Sequence, residues 1–127
     1  MRYRDILEGS SKVYRAVLLH GTPETFTKFD FDKITSMGPY GVGVYLSNDY
    51  GLAKTYSDGG EPMQVEVILV KPYHLDLDSA DRSLRAPFRS RQGKEKLLSE
   101  GYDGVVVTEG DYVEVCAYAG AHLTIIE

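Results

Sequence analysis

Short runs of β-branched and aromatic residues, each cut off within a few positions by glycine, proline or an Asn/Asp pair, leave this chain little choice but a sheet. Residues 13–19 (VYRAVLL) end in a continuous apolar stretch and predict a strand. Residues 63–70 (MQVEVILV) alternate and then become fully apolar, which predicts a central strand ended by Pro72. VYLS at 44–47, bracketed by Gly38, Gly41 and Gly43, reads as a shorter strand, and HLTII at 122–126 as the last one. VVV at 105–107 and YVEVCAY at 112–118 surround Glu109-Gly110-Asp111, the pattern of an antiparallel hairpin. Helical signals are sparser. Asn48-Asp49 suits a cap ahead of Leu52, Ala53 and Tyr56, KEKLLSE after Gly93 predicts a helix ending at Gly101, and residues 3–12 suggest a third. Phe26, Phe29 and Phe31 anchor an irregular stretch, while residues 74–92 mix charges around a proline and give no pattern. The order predicts one α+β domain over residues 1–127, with short helices against strongly twisted, mostly antiparallel sheets.

Composition removes several classes of function. Of 127 residues, 43% are hydrophobic, enough for the core of one domain, yet no apolar stretch approaches the roughly 18 residues of a membrane span. The first dozen residues carry charges and do not resemble a secretory leader. With one cysteine, Cys116, expected as an inert buried thiol, the setting reads as cytoplasmic, and the molecule is expected to be a monomer. A net charge of −5 disfavours non-specific nucleic-acid binding, although an acceptor touched only during reaction stays open. There is no phosphate-binding P-loop, and the GPYGVG stretch precedes a strand instead of joining strand to helix, so the Rossmann fingerprint fails. The paired Cys and His spacings of a zinc site are missing, and no metal is expected. Ten tyrosines against four phenylalanines make an aromatic-lined cleft feasible.

Three features carry chemistry. His20 closes an apolar strand beside Gly21, where backbone can approach a ligand closely. Tyr45 lies in the glycine-flanked strand, with Tyr56 eleven positions later. Glu114 interrupts an apolar strand, and a buried carboxylate is costly unless paired or used. Alternation offers the other reading, with Val113 and Val115 inward and Glu114 on a solvated face. The basic stretch holding Arg85, Arg89 and Arg91 is either a solvated loop or a holder of phosphate.

The order of the blocks LHGT (19–22), GVGVYLS (41–47), AKTY (53–56) and YVEVCAY (112–118) resembles the ADP-ribosyltransferase superfamily. It is most similar to the His-Tyr-Glu branch that includes diphtheria toxin and the poly(ADP-ribose) polymerases. The resemblance covers roughly residues 13–127 and implies NAD+ as substrate. It implies that Tyr45 and Tyr56 stack on nicotinamide and that Gly21 clamps the carboxamide through its backbone. His20 would bond the adenosine ribose, Thr22 would add a polar contact, and Ala53 stands where many relatives have serine. Glu114 would meet the nicotinamide ribose at the reacting centre, which makes Glu114, His20 and Tyr45 the catalytic set. Tyr112 belongs to the segment with which relatives contact the acceptor, and Arg85, Arg89 and Arg91 are candidates for phosphate or acceptor. The expected activity is a single transfer of ADP-ribose to a macromolecule, a protein first and a nucleic acid as the open alternative. An NAD+ glycohydrolase and a non-catalytic binding module are the competing readings, and a 2′-phosphotransferase is further off because Glu114 is retained. Small bacterial and phage members of the superfamily suggest a toxin or host modifier.

Overall fold

The computed structural model describes residues 13–22, 28–31, 37–38, 40–58, 60–78 and 91–126. The expected helix over residues 3–12, Phe26, Arg85 and Arg89 lie outside them, as does the side chain of Arg91. The elements run β1 (Tyr14–His20), β2 (Met37–Gly38), β3 (Gly41–Val42), β4 (Val44–Ser47), α1 (Tyr50–Tyr56), β5 (Met63–Leu69), β6 (Pro72–Asp76), α2 (Arg91–Ser99), β7 (Gly104–Glu109), β8 (Tyr112–Ala117) and β9 (His122–Ile126). A seven-stranded sheet has the order β6-β7-β8-β4-β1-β5-β9, and β2 and β3 pair separately. Every pairing in the large sheet is antiparallel except β6 with β7. The fold is therefore mixed α+β with a mostly antiparallel sheet.

Side-chain parity divides the sheet into two faces. One carries Leu18, Val44, Leu46, Val65, Val67, Leu69, Val106, Val115 and Ala117, joined by Phe29 from the irregular stretch. The other carries Leu75, Val105, Val107 and Cys116, covered by Tyr40, Leu97 of α2 and Tyr118. Strands β7 and β8 therefore bury both faces, which is why VVV at 105–107 reads as an unbroken apolar run. The parallel β6–β7 pair needs a long crossover, and α2 lies within it with Leu97 turned onto the second core. That helix stops at Gly101, whose φ of +89° suits glycine. The Gly101 N–H then bonds the Leu98 carbonyl, and the Tyr102 N–H the Leu97 carbonyl, closing a Schellman motif.

Two expectations need correction. Strand β5 is interior but next to the end of the order rather than central. It also ends at Leu69, and Pro72, instead of terminating a strand, opens β6, where the first position needs no ladder N–H from proline. Asp103 makes that tight passage between strands workable. Its buried carboxylate accepts from the Val70 N–H at 2.6 Å and the Lys71 N–H at 3.1 Å, satisfying the turn that Pro72 ends.

Candidate active site

The sheet opens where β1 meets β4. On one side β1 pairs with β5 at all seven positions from Tyr14 to His20, and on the other it meets β4 at the single bridge Leu19↔Ser47. Beyond that bridge the His20 imidazole meets the Tyr45 carbonyl, with Nδ1 at 2.8 Å. A carbonyl cannot donate, so Nδ1 carries the hydrogen and Nε2 is the acceptor nitrogen. Burial holds the His20 pKa below its ordinary value, more than the bond to Tyr45 raises it, so the ring is neutral at pH 7. Phe29 packs edge-on against it, with ring centroids 5.2 Å apart.

Helix α1 closes the gap. Seven residues are too few to be helical alone, and packing and caps sustain them. The Asp49 carboxylate accepts from the Leu52 N–H at 3.1 Å, and Ser57 returns its N–H and hydroxyl to the Ala53 carbonyl at 3.1 and 3.0 Å. Gly21 lies directly on this helix: a Cβ there would fall 1.9 Å from the Ala53 oxygen and 2.9 Å from the Tyr56 Cβ. The approach of α1 is thus sufficient reason for glycine at this position. Tyr56 ends the helix 64% exposed, with its Cβ next to Gly21.

Tyr45 and Glu114 meet on the second face. Tyr45 lies opposite Cys116 and Ser47 opposite Glu114, which places Glu114 on the diagonal from Tyr45, about 7–8 Å away. The Tyr45 hydroxyl donates to the Gly41 carbonyl at 2.7 Å and accepts from the Tyr40 N–H at 3.0 Å. Burial, reinforced by the neighbouring Cys116, pushes its pKa far up, so this phenol stays protonated and structural while its ring remains half-buried. Cys116 is buried as expected, its thiol pushed up to about 12, first by burial. Glu114 itself is half-buried. Val113 and Val115 do face the first core, and on the opposite face Cys116 is buried while Glu114 beside it is half-buried, neither sealed in nor fully solvated.

The structure therefore gathers His20, Gly21, Ala53 and Tyr56 around the seam, with the Tyr45 backbone at its edge. Glu114 and Tyr112, two residues apart on one face of β8, stand one strand further on. Thr22 follows Gly21 as β1 ends. Ser47 and Asn48 belong to this neighbourhood and were not singled out from sequence, where Asn48 read only as part of a cap. Among the described residues no group of three or more His, Cys, Asp or Glu side chains could hold a metal, and no helix is long and apolar enough to cross a membrane.

Residues 13–123 match the model of a family described as ADP-ribosyltransferase in polyvalent proteins, a span that includes every element from β1 to β8. The chain belongs to this family. Membership places it in the ADP-ribosyltransferase superfamily. No curated protein matches the sequence. Among solved structures it is similar to one described as the crystal structure of an anti-CRISPR protein, at 14% identity and a TM-score of 0.46, over 91% of this chain and 97% of that one. A likeness that distant assigns nothing to the ADP-ribosyltransferase domain described here.

Proposed function

We propose that this domain is a mono-ADP-ribosyltransferase that cleaves the nicotinamide–ribose bond of NAD+ and passes ADP-ribose to a macromolecular acceptor. The observation that carries the reading is the single-bridge seam, which gathers His20, Gly21 and α1 while Glu114 and Tyr45 share the sheet face beside it. A neutral His20 whose Nε2 is an acceptor fits a ribose hydroxyl, which donates. Tyr56, exposed at the end of α1, offers an electron-rich face to the cationic nicotinamide ring, and Tyr45 is its proposed partner. Gly21 contributes backbone N–H and C=O for the carboxamide, with Ala53 and Thr22 alongside. Tyr112 is the proposed acceptor contact.

As the bond lengthens, its electron pair leaves with nicotinamide and positive charge develops on the ribose. Glu114 accepts a hydrogen bond from the 2′-hydroxyl and places negative charge near that centre. The acceptor's lone pair then forms the new bond to the anomeric carbon, and its proton passes to solvent or a nearby base. Water in the acceptor's place would give hydrolysis by the same first step. Incubating the protein with NAD+ labelled in its adenosine half and a cell lysate separates the outcomes. The expected result is a labelled macromolecule together with free nicotinamide. Free ADP-ribose as the sole labelled product would replace the transferase with a glycohydrolase.

A further inference from the structure

The tip of the β7–β8 hairpin is held by side chains to which the proposed chemistry assigns no role. Its two-residue loop, Gly110-Asp111, joins the pair Glu109↔Tyr112, and Gly110 takes a φ of +57° at the first loop position. Exposed hairpin tips of this kind are among the first backbone to open. Here the tip is gripped from two sides. The main-chain ladder between β4 and β8 ends at Ser47↔Glu114. Beyond it, Asn48 donates its backbone N–H to the Val113 carbonyl at 3.1 Å. Its side-chain oxygen accepts from the Val113 N–H at 2.9 Å, and its side-chain nitrogen donates to the Asp111 carbonyl at 2.6 Å. One amide thus fixes both peptide groups that flank Tyr112. From the other side Asp78, just past β6, accepts from the Gly110 N–H at 2.6 Å.

Capping does not explain Asn48, because the cap of α1 is Asp49. The chemistry of the position is also narrow. The two bonds need a donor and an acceptor on one planar group, which an amide supplies and an ionised carboxylate or a hydrocarbon does not. Residues 112 and 114 project from the same face, so locking the peptides around Tyr112 also sets where the Glu114 carboxylate starts its reach toward the seam.

We propose that Asn48 is a positioning residue for the reaction, holding residues 112–114 so that Glu114 meets the ribose in a fixed geometry. The role rests on the reading of Glu114 given above, and it predicts an effect on turnover rather than on NAD+ binding. The test uses Asn48→Ala and Asn48→Asp in the full chain. It combines amide hydrogen exchange, NAD+ titration and nicotinamide release at saturating NAD+. In Asn48→Ala the Val113 amide should exchange about tenfold faster. Nicotinamide release should fall about tenfold or more, with NAD+ affinity within about twofold of wild type. Asn48→Asp keeps an acceptor for Val113 but sets an oxygen against the Asp111 carbonyl. Its deficit relative to wild type should shrink as pH falls through the carboxyl range, where the protonated group donates again. That pH-dependent ratio is not expected of a residue that merely stabilises the fold. Normal release by folded Asn48→Ala, or an Asn48→Asp deficit that does not change with pH, would overturn the role of Asn48 alone. Absence of NAD+ cleavage by the wild type would instead refute the function on which the role depends.

Discussion

Strands β7, β8 and β4 are buried on both faces, with α2, Tyr40 and Tyr118 covering the side that the first core leaves open. Among the described residues, strands β1, β5 and β9 carry one buried face and a second, more open one. Val17 is 53% exposed, and Arg15 pairs with Glu66 at 3.2 Å on that open side. Each half is internally continuous: β7 pairs with β8 from Gly104 to Ala117, and β1 with β5 along its whole length. Between the halves stands one bridge, Leu19↔Ser47, and the candidate residues collect around it. Ladders and buried side chains stabilise both flanks, so the seam can hold a carbonyl bonded by a side chain instead of a strand, and a close helix, without endangering the fold. A ligand site needs fixed walls of that kind.

The contrast can be broken most severely at the seam. Gly21→Ala puts a Cβ 1.9 Å from the Ala53 oxygen, so α1 must move by more than 1 Å. A displacement of that size should weaken NAD+ binding or turnover on the order of 100-fold. The comparison variant, Leu69→Ala, lies fully buried inside the closed β1–β5 half. It should lower stability by about 2–5 kcal/mol while leaving the affinity of each folded molecule for NAD+ unchanged. Denaturant unfolding and NAD+ titration on both variants measure the pair. If Gly21→Ala binds normally, or Leu69→Ala loses affinity while folded, the division between seam and flanks is wrong.

A smaller effect sharpens the comparison. Burial keeps His20 neutral below its ordinary pKa of 6.5. In the unfolded chain the same ring protonates first as pH falls through about 6.5. The unfolded state then binds more protons, so stability should decline from pH 6.5 downward until the folded ring also protonates. His74, exposed on β6 but partly desolvated there, is shifted in the same direction and adds a smaller part to the same decline. Melting curves of wild type, His20→Asn and a His74→Gln control across that range should show part of the slope disappearing with His20. A slope identical in wild type and His20→Asn would mean that His20 is not buried neutral at the seam.

Much of the architecture was legible because periodicity reports which way a side chain points. The runs at 13–19, 63–70, 105–107 and 112–118 became β1, β5, β7 and β8, and the glycine after KEKLLSE ends α2 in a left-handed turn. What periodicity does not report is what covers the other face. Alternation therefore left a solvated face open to Glu114, although Cys116 and Val107 on its own face are buried, packed with Tyr118 nearby and with Tyr40 and Leu97 from distant positions. Strand β6 escaped notice because Pro72 looked like a terminator, and a parallel pairing has no turn to announce it. Asn48 was hidden by its likeness to a cap: its partners, Asp111 and Val113, lie more than sixty positions away. The blocks around His20, Tyr45, Tyr56 and Glu114 were legible as an ordered set. The arginine-rich stretch around Arg85 and Arg89 lies outside the described residues, and its part in binding phosphate or acceptor stays a proposal.

The central claim is that Glu114 acts on charge that appears only as the nicotinamide bond breaks, and Glu114→Gln addresses it directly. The substitution keeps the size and one acceptor oxygen but removes the negative charge. After confirming that the variant folds, nicotinamide release and NAD+ binding are followed in parallel. Affinity should move by less than about 1 kcal/mol, while release should fall on the order of 100-fold or more, a barrier rise of at least about 2.7 kcal/mol. Hydrolysis and transfer should fall together, since they share the bond-breaking step. Near-normal nicotinamide release by the folded variant would contradict the account and leave Glu114 a half-buried residue of β8 with no part in the chemistry.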